Sequence, residues 1–328
     1  MTISQTKSDQ LRPSDDNGLG AIIHVGPGRR SEAIERLVGT ISGDRVAVDR
    51  FLHYAKANAI RLDGLWSRLD RAGGLAFSVL VVPSPGRTAM VFSSRPASSR
   101  QIPAIAGLID HACRQLSGWN VNLAQALIEP AERAEQEAFT SAGFTELSLL
   151  SYLERPLSSS DAVPAPQWPP SVRIEPYAET LHDDLVRALE ASYERTLDCP
   201  GLYGLRTTAD IIAGHMATGQ FVESLWTILR MADEPVGALL LNPFPGHRTA
   251  ELVYLGLAPA ARGCGLGRKL LRYGLGLLKK RRERALTLAV DERNTPALAL
   301  YRSEGFRPLV QRVALIRPLG RPPDQPAR

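Results

Sequence analysis

Cysteine is scarce. Three occur in 328 residues, at Cys113, Cys199 and Cys264, with no C-x-x-C pair and no metal-ligand spacing among them. So odd and sparse a set builds no disulfide framework, which points to a reducing compartment and to a fold resting on its core; no metal is expected. Long apolar runs are missing too. No stretch approaches the roughly 18 residues that cross a bilayer, and the opening MTISQTKSDQLRPSDDNG has no apolar signal-peptide segment. The expectation is a cytoplasmic protein without a membrane partner. Aromatic residues make up only 6% and do not interleave with the basic ones, so the net charge of +5 comes with no base-stacking platform. The densest basic run, Lys279-Lys280-Arg281-Arg282, reads as the solvated end of a helix, where cations oppose the dipole. No nucleic-acid partner is expected.

What the chain does have is core material and glycine in one telling place. Hydrophobic residues make up 44%, and 328 residues exceed a typical domain of roughly 100–200, so two domains are expected. The run ELVYLGLAPAARGCGLGRKLL (251–271), followed by LTLAVDERNTPALALYRSEGF (286–306), reads as strand, glycine-rich turn, helix, strand and helix. The turn Arg262-Gly263-Cys264-Gly265-Leu266-Gly267 brings little-obstructed backbone N–H groups to a helix N-terminus, which suits a diphosphate. It is not a nucleotide P-loop, because Gly267 is followed by Arg268-Lys269-Leu270 rather than Lys and then Ser or Thr. Nor is it a dinucleotide fingerprint, which would place a third glycine at Leu270 and an acid near Thr287.

The remaining pattern is R-x-x-G-x-G between strand and helix, with N-x-x-A-x-x-L-Y-x-x-x-G-F downstream. It resembles the acyl-CoA signature of the Gcn5-related N-acetyltransferase (GNAT) superfamily, on Arg262, Gly265, Gly267, Asn294, Ala297, Tyr301, Gly305 and Phe306. The resemblance implies an acyl-CoA cosubstrate, by family frequency acetyl-CoA, and direct transfer to a primary amine of an unidentified acceptor, small molecule or protein. It gives the diphosphate to Arg262, Gly263, Cys264, Gly265, Leu266, Gly267 and Arg268, and the pantetheine arm to Asn294 and to the backbone of Leu255 and Leu257. Glu251 takes the place of the general base, and Tyr301 that of the general acid for the departing thiolate. Strand alternation puts Glu251 on one face with Val253, Leu255 and Leu257. The acceptor is expected against residues 191–221, where Cys199 and His215 read as structural or packing residues. The competing class is a non-catalytic acyl-CoA-binding or sensing protein, against which the retention of Glu251 and Tyr301 speaks. A monomer or homodimer is expected.

The chain also repeats itself. Gly143-Phe144 falls on Gly305-Phe306 and Arg155-Pro156-Leu157 on Arg317-Pro318-Leu319, a gapless offset of 162 residues. With the resemblance, this implies an α+β protein of two tandem GNAT folds, each a mixed, mostly antiparallel sheet flanked by helices. The expected units are a degenerate copy over 19–156, a Pro/Ser-rich linker over 157–171 and a catalytic copy over 172–319, with disordered tails at 1–17 and 320–328. At this offset Gly265 becomes Pro103, Gly267 becomes Ile105, Glu251 becomes Ala89, Asn294 becomes Glu132 and Tyr301 becomes Phe139; Arg262 alone survives, as Arg100. A silent first copy beside a working second one resembles, in architecture, the mycothiol synthase family, whose acceptor is a small amine-bearing thiol precursor.

Overall fold

The computed structural model describes residues 18–38, 45–57, 60–158, 165–279 and 281–320. The tail expected at 1–17, residues 321–328 of the tail expected at 320–328, part of the linker (159–164) and Lys280 of the basic run lie outside the described residues. The two repeats have the same order of elements. The first runs β1 (Ile22–His24), α1 (Arg30–Val38), α2 (Arg45–Ala57), β2 (Leu65–Leu69), β3 (Leu75–Ser84), β4 (Thr88–Ser93), α3 (Ile102–Gln115), β5 (Leu123–Ile128), α4 (Arg133–Ser141) and β6 (Thr145–Pro156). The second runs β7 (Val172–Pro176), α5 (His182–Tyr193), α6 (Thr208–Ala217), β8 (Trp226–Met231), β9 (Glu234–Phe244), β10 (Thr249–Leu257), α7 (Leu266–Leu278), β11 (Ala285–Asp291), α8 (Thr295–Ser303) and β12 (Arg307–Pro318).

The twelve strands of the described residues form one sheet, in the order β1-β2-β3-β4-β5-β12-β6-β11-β10-β9-β8-β7. Among the described residues only β4 with β5 and β10 with β11 pair in parallel, so the sheet is mixed and mostly antiparallel, as the α+β reading requires. The repeats exchange their last strands. β12 ends the second repeat yet lies against β5 of the first, and β6 ends the first yet lies against β11 of the second. The cores follow this exchange. Val313 and Leu315 of β12 are buried with α3 and α4, whereas Leu153 of β6 is buried with α7 and α8. Helices cover both faces of each half, α1 and α2 opposite α3 and α4, α5 and α6 opposite α7 and α8. Among the described residues no helix is long and apolar enough to cross a membrane.

Helix α7, which positions the glycine turn, is held by an apolar stripe. Leu266, Leu270, Leu271, Leu275 and Leu278 are buried, each worth about 1.5–3 kcal/mol relative to exposure. Gly274 permits this close seat, since a Cβ there would fall 2.8 Å from Leu239 Cδ2. In the first repeat the corresponding helix lacks the turn altogether. A 3-10 turn over Ser99–Gln101 passes directly into α3, with Pro103 in the first turn, whereas Arg262–Gly265 separate the 3-10 turn Pro259–Ala261 from α7. The gapless offset fails by one residue on one strand. Thr88–Met90 pair with Leu123–Gln125 as Thr249–Glu251 pair with Ala285–Thr287, so the position of Glu251 is held in the first repeat by Met90 rather than Ala89.

Candidate active site

The parallel pairing of β10 with β11 stops after Glu251↔Thr287, while β10 continues along β9 as far as Leu257↔Gly237. Among the described residues the β11-facing edge of β10 beyond Glu251 thus lacks a strand partner, and its peptide groups border a notch between diverging strands. Within that stretch the register on β9 slips between Leu252 and Tyr254, leaving Val253 as the extra residue of a bulge. The bulge corrects the simple alternation. Leu252, Leu255 and Leu257 all pack toward α7 and α8, while Val253 and Tyr254 pack toward α5 and α6. Glu251, the neighbour of Leu252, therefore points to the α5 and α6 face, opposite Leu255 and Leu257 rather than beside them. Burial raises its carboxyl above the usual carboxylate range.

Beside the notch stands the glycine turn. Gly263 (φ +76°) and Gly265 (φ +81°) hold left-handed backbone, and a Cβ at either would meet nothing within 4 Å. What demands glycine there is therefore conformation, with open space in front. Gly265 caps α7 without a side-chain bond, and the N–H groups of Gly263 through Arg268 have no partner among the described residues. Gly267 sits one turn in, its Cβ position 3.7 Å from Leu257 Cδ1, an ordinary contact. Cys264 is exposed, its Sγ on Ala261 O at 3.4 Å.

Two arginines expected at the diphosphate have other employment. The Arg262 guanidinium donates to Leu257 O (2.8 Å), Arg195 O (3.1 Å), Ser192 O (2.9 Å) and Glu194 O (2.8 Å), so it clamps the end of α5 and the following loop onto β10. Arg268 donates to Glu304 Oε1 at 3.0 Å, and Arg272 takes the other oxygen at 2.9 Å, tying α7 to the end of α8. Arg268 still turns its backbone N–H to the turn. Asn294 is the N-cap of α8, its Oδ1 accepting from Ala297 N at 3.3 Å.

Tyr301 is 7% exposed, with Phe306 against its ring at 5.6 Å, the same pairing that Phe139 and Phe144 make at 5.0 Å in the first repeat. Burial first, then the nearby Asp198 and Tyr254, push its phenol up, so it stays protonated at neutral pH. Asp198 belongs to a docking that the sequence pattern did not reveal. Its carboxylate accepts from Asp291 N at 2.9 Å, while Asp291 accepts from Cys199 N at 3.2 Å and from the Arg293 guanidinium at 2.9 Å. Burial raises Asp198; at Asp291 it pulls the same way but is overcome by the Arg293 bonds, which hold that carboxyl below the usual range. The loop after α5 is thereby pinned to the tip of β11. Cys199, at φ +45°, has its thiol pushed up to about 12 by burial and the two aspartates, which unfits it as a nucleophile and agrees with its structural reading. His215 is pushed down to about 4 by burial and then Arg206, and it packs on Tyr254 with ring centroids 5.7 Å apart.

Comparison with known proteins agrees with this geometry. Residues 189–306 match the model of the acetyltransferase (GNAT) family. A mycothiol acetyltransferase of Salinispora tropica is 35% identical over 163 residues, 47% of this chain and 50% of that protein. One of Cellulomonas flavigena is 31% identical over 156 residues, 43% and 42% of the two chains. The chain thus spans about half the length of the curated relatives it matches. A GCN5-related N-acetyltransferase from Sphaerobacter thermophilus superposes with a TM-score of 0.63 at 17% identity, covering 93% of this chain and 97% of its own. A tandem GNAT protein from the clavulanic acid biosynthesis pathway gives 0.50 at 15% identity, covering 91% and 94%. Residues 189–306 are therefore similar to the acetyltransferase (GNAT) family, within a chain that shares its fold with a tandem GNAT protein.

Proposed function

We propose that the chain is an acetyl-CoA-dependent N-acetyltransferase that passes the acetyl group directly to a primary amine. The carrying observation is the adjacency of two unsatisfied backbone surfaces, the N-terminus of α7 with its free N–H groups and the open edge of β10. A diphosphate suits the first, where the helix dipole adds to the donors, and an extended pantetheine amide suits the second as an added strand. Together they favour a coenzyme A thioester over a simple phosphate ligand. Acetyl and not a longer acyl group follows from the names of the relatives. The acceptor nitrogen attacks the thioester carbon, Glu251 takes its proton directly or through water, and the thiolate leaves with the proton of Tyr301. Arg262 and Asn294 serve as positioning residues, and the cofactor contacts fall to the backbone from Gly263 to Arg268 and at Leu255 and Leu257. The first repeat has neither the turn nor an acid at Met90, so one cofactor per chain is expected.

Release of free thiol from acetyl-CoA over a panel of amines, with an amine-bearing thiol precursor of the mycothiol type included, tests the proposal. Turnover on at least one amine is expected. Tight CoA binding with no turnover on any would assign the chain to acyl-CoA sensing instead.

A further inference from the structure

Strand β6 belongs to the first repeat by sequence and to the second half by pairing. Leu153 on it is 1% exposed in the core under α7, so Tyr152 projects to the other face, the one that carries Glu251. Tyr152 pairs with Ala289 of β11, Glu154 pairs with Thr287, and Thr287 pairs with Glu251. Directly paired residues share a face, so Tyr152 and Glu251 lie on one face on either side of β11, two strand spacings across and two residues along, about 12 Å apart in backbone. The residue between them at the level of Tyr152 is Ala289, exposed and only a methyl. Burial and nearby charges, and no hydrogen bond, act on the Tyr152 hydroxyl among the described residues. Burial, and then the charge of Glu251, hold the phenol above its usual range, which keeps it protonated beside that carboxylate.

We propose that Tyr152, supplied by the first repeat, is an acceptor-binding residue of the second repeat's active site: its hydroxyl oxygen accepts one N–H of the incoming amine while Glu251 engages the other. This rests on the acetyltransferase reading above. Held at both N–H groups, a primary amine can aim only its lone pair at the thioester. A secondary amine has one N–H and satisfies only one of the two groups, so the pair selects primary amines. The nitrogen's proton still leaves through Glu251, and Tyr152 exchanges none.

Steady-state kinetics on the full chain test this, with the best amine of the panel and its N-methyl derivative. Tyr152→Phe should raise the acceptor KM about five- to tenfold, the usual worth of one hydrogen bond at a polar site, leave the KM for acetyl-CoA within twofold, and narrow the preference for the primary amine. Ala289→Leu, which copies Leu127 at the matching position of β5 and fills the gap without touching the hydroxyl, should raise the acceptor KM in the same selective way. Unchanged kinetics in both variants would overturn the inference. So would a parallel rise of both KM values accompanied by a lower Tm, because that is the mark of a structural tyrosine. A wild-type chain without turnover on any amine would instead strike the acetyltransferase reading, and the inference would fall with it.

Discussion

At the residue scale, Glu251 and Asp291 are carboxylates with opposite electrostatic fates, and each has a consequence that can be measured. Glu251 is raised by burial, so its charged form is the strained one in the folded protein. Its contribution to stability is full below the unfolded pKa and is lost as pH rises through the folded value. Glu251→Gln should therefore leave the Tm at pH 8 equal to or above wild type while lowering kcat about 10²–10⁴-fold, the usual worth of a positioned base. The acidic limb of the wild-type pH–rate profile should lie above the ordinary carboxylate range and vanish in the variant. Asp291 runs the other way. Held below its usual range, it contributes stability above the unfolded pKa that disappears as pH falls through the folded one. Asp291→Ala leaves the N–H of Cys199 without its acceptor and should cost about 1–3 kcal/mol at neutral pH in denaturant melts, with the deficit closing on acidification. The family resemblance singles out Glu251 and Tyr301 as candidates from sequence alone; the pairing of Asp198 with Asp291, 93 residues apart, leaves no such mark, since it needs a loop and a strand tip brought together by the whole fold.

At the scale of elements, the glycine turn was readable because its needs are local: left-handed backbone, which glycine adopts at least cost, and a clear approach that the missing side chain leaves open. Gly265→Val should accordingly weaken CoA binding at least tenfold by calorimetry, with little change in acceptor KM at saturating cofactor. Arg262 makes the contrasting case. The motif assigns it to the cofactor, but its donors are committed to four carbonyls across the α5 and β10 junction. Arg262→Ala should loosen the loop after α5 and raise the acceptor KM more than the Kd for CoA; the reverse order would restore the motif's assignment. The bulge at Val253 escaped the sequence reading for a similar reason. Alternation on one strand predicts faces only while the register with its partner holds, and here the slip is set by β9.

For the whole molecule, the repeat offset recovered two copies of one fold but not that each copy finishes the other's sheet, because pairing between strands so distant in sequence leaves no local trace. Independent domains and exchanged ones differ in an experiment. With a protease site placed within 159–164 and cut, the two pieces should elute as one particle and keep turnover, since β6 and β12 remain interleaved. Separation into an active C-terminal piece and a silent N-terminal one would contradict the pairing described. Unfolding in urea should likewise show one transition by fluorescence and circular dichroism rather than two.

The pairing of β6 with β12 carries a further meaning. Leu149 faces Val313 and Ser151 faces Gln311, pairs that change places when 162 is added to one member and subtracted from the other; Leu150 and Arg312 map onto each other. A pseudo-twofold axis therefore passes through the Leu150–Arg312 pair. The chain is arranged as a symmetric dimer whose two subunits have been joined end to end. Symmetry of backbone is not symmetry of chemistry: one half carries the turn and the carboxylate, and the other supplies a strand that its partner's sheet is built on.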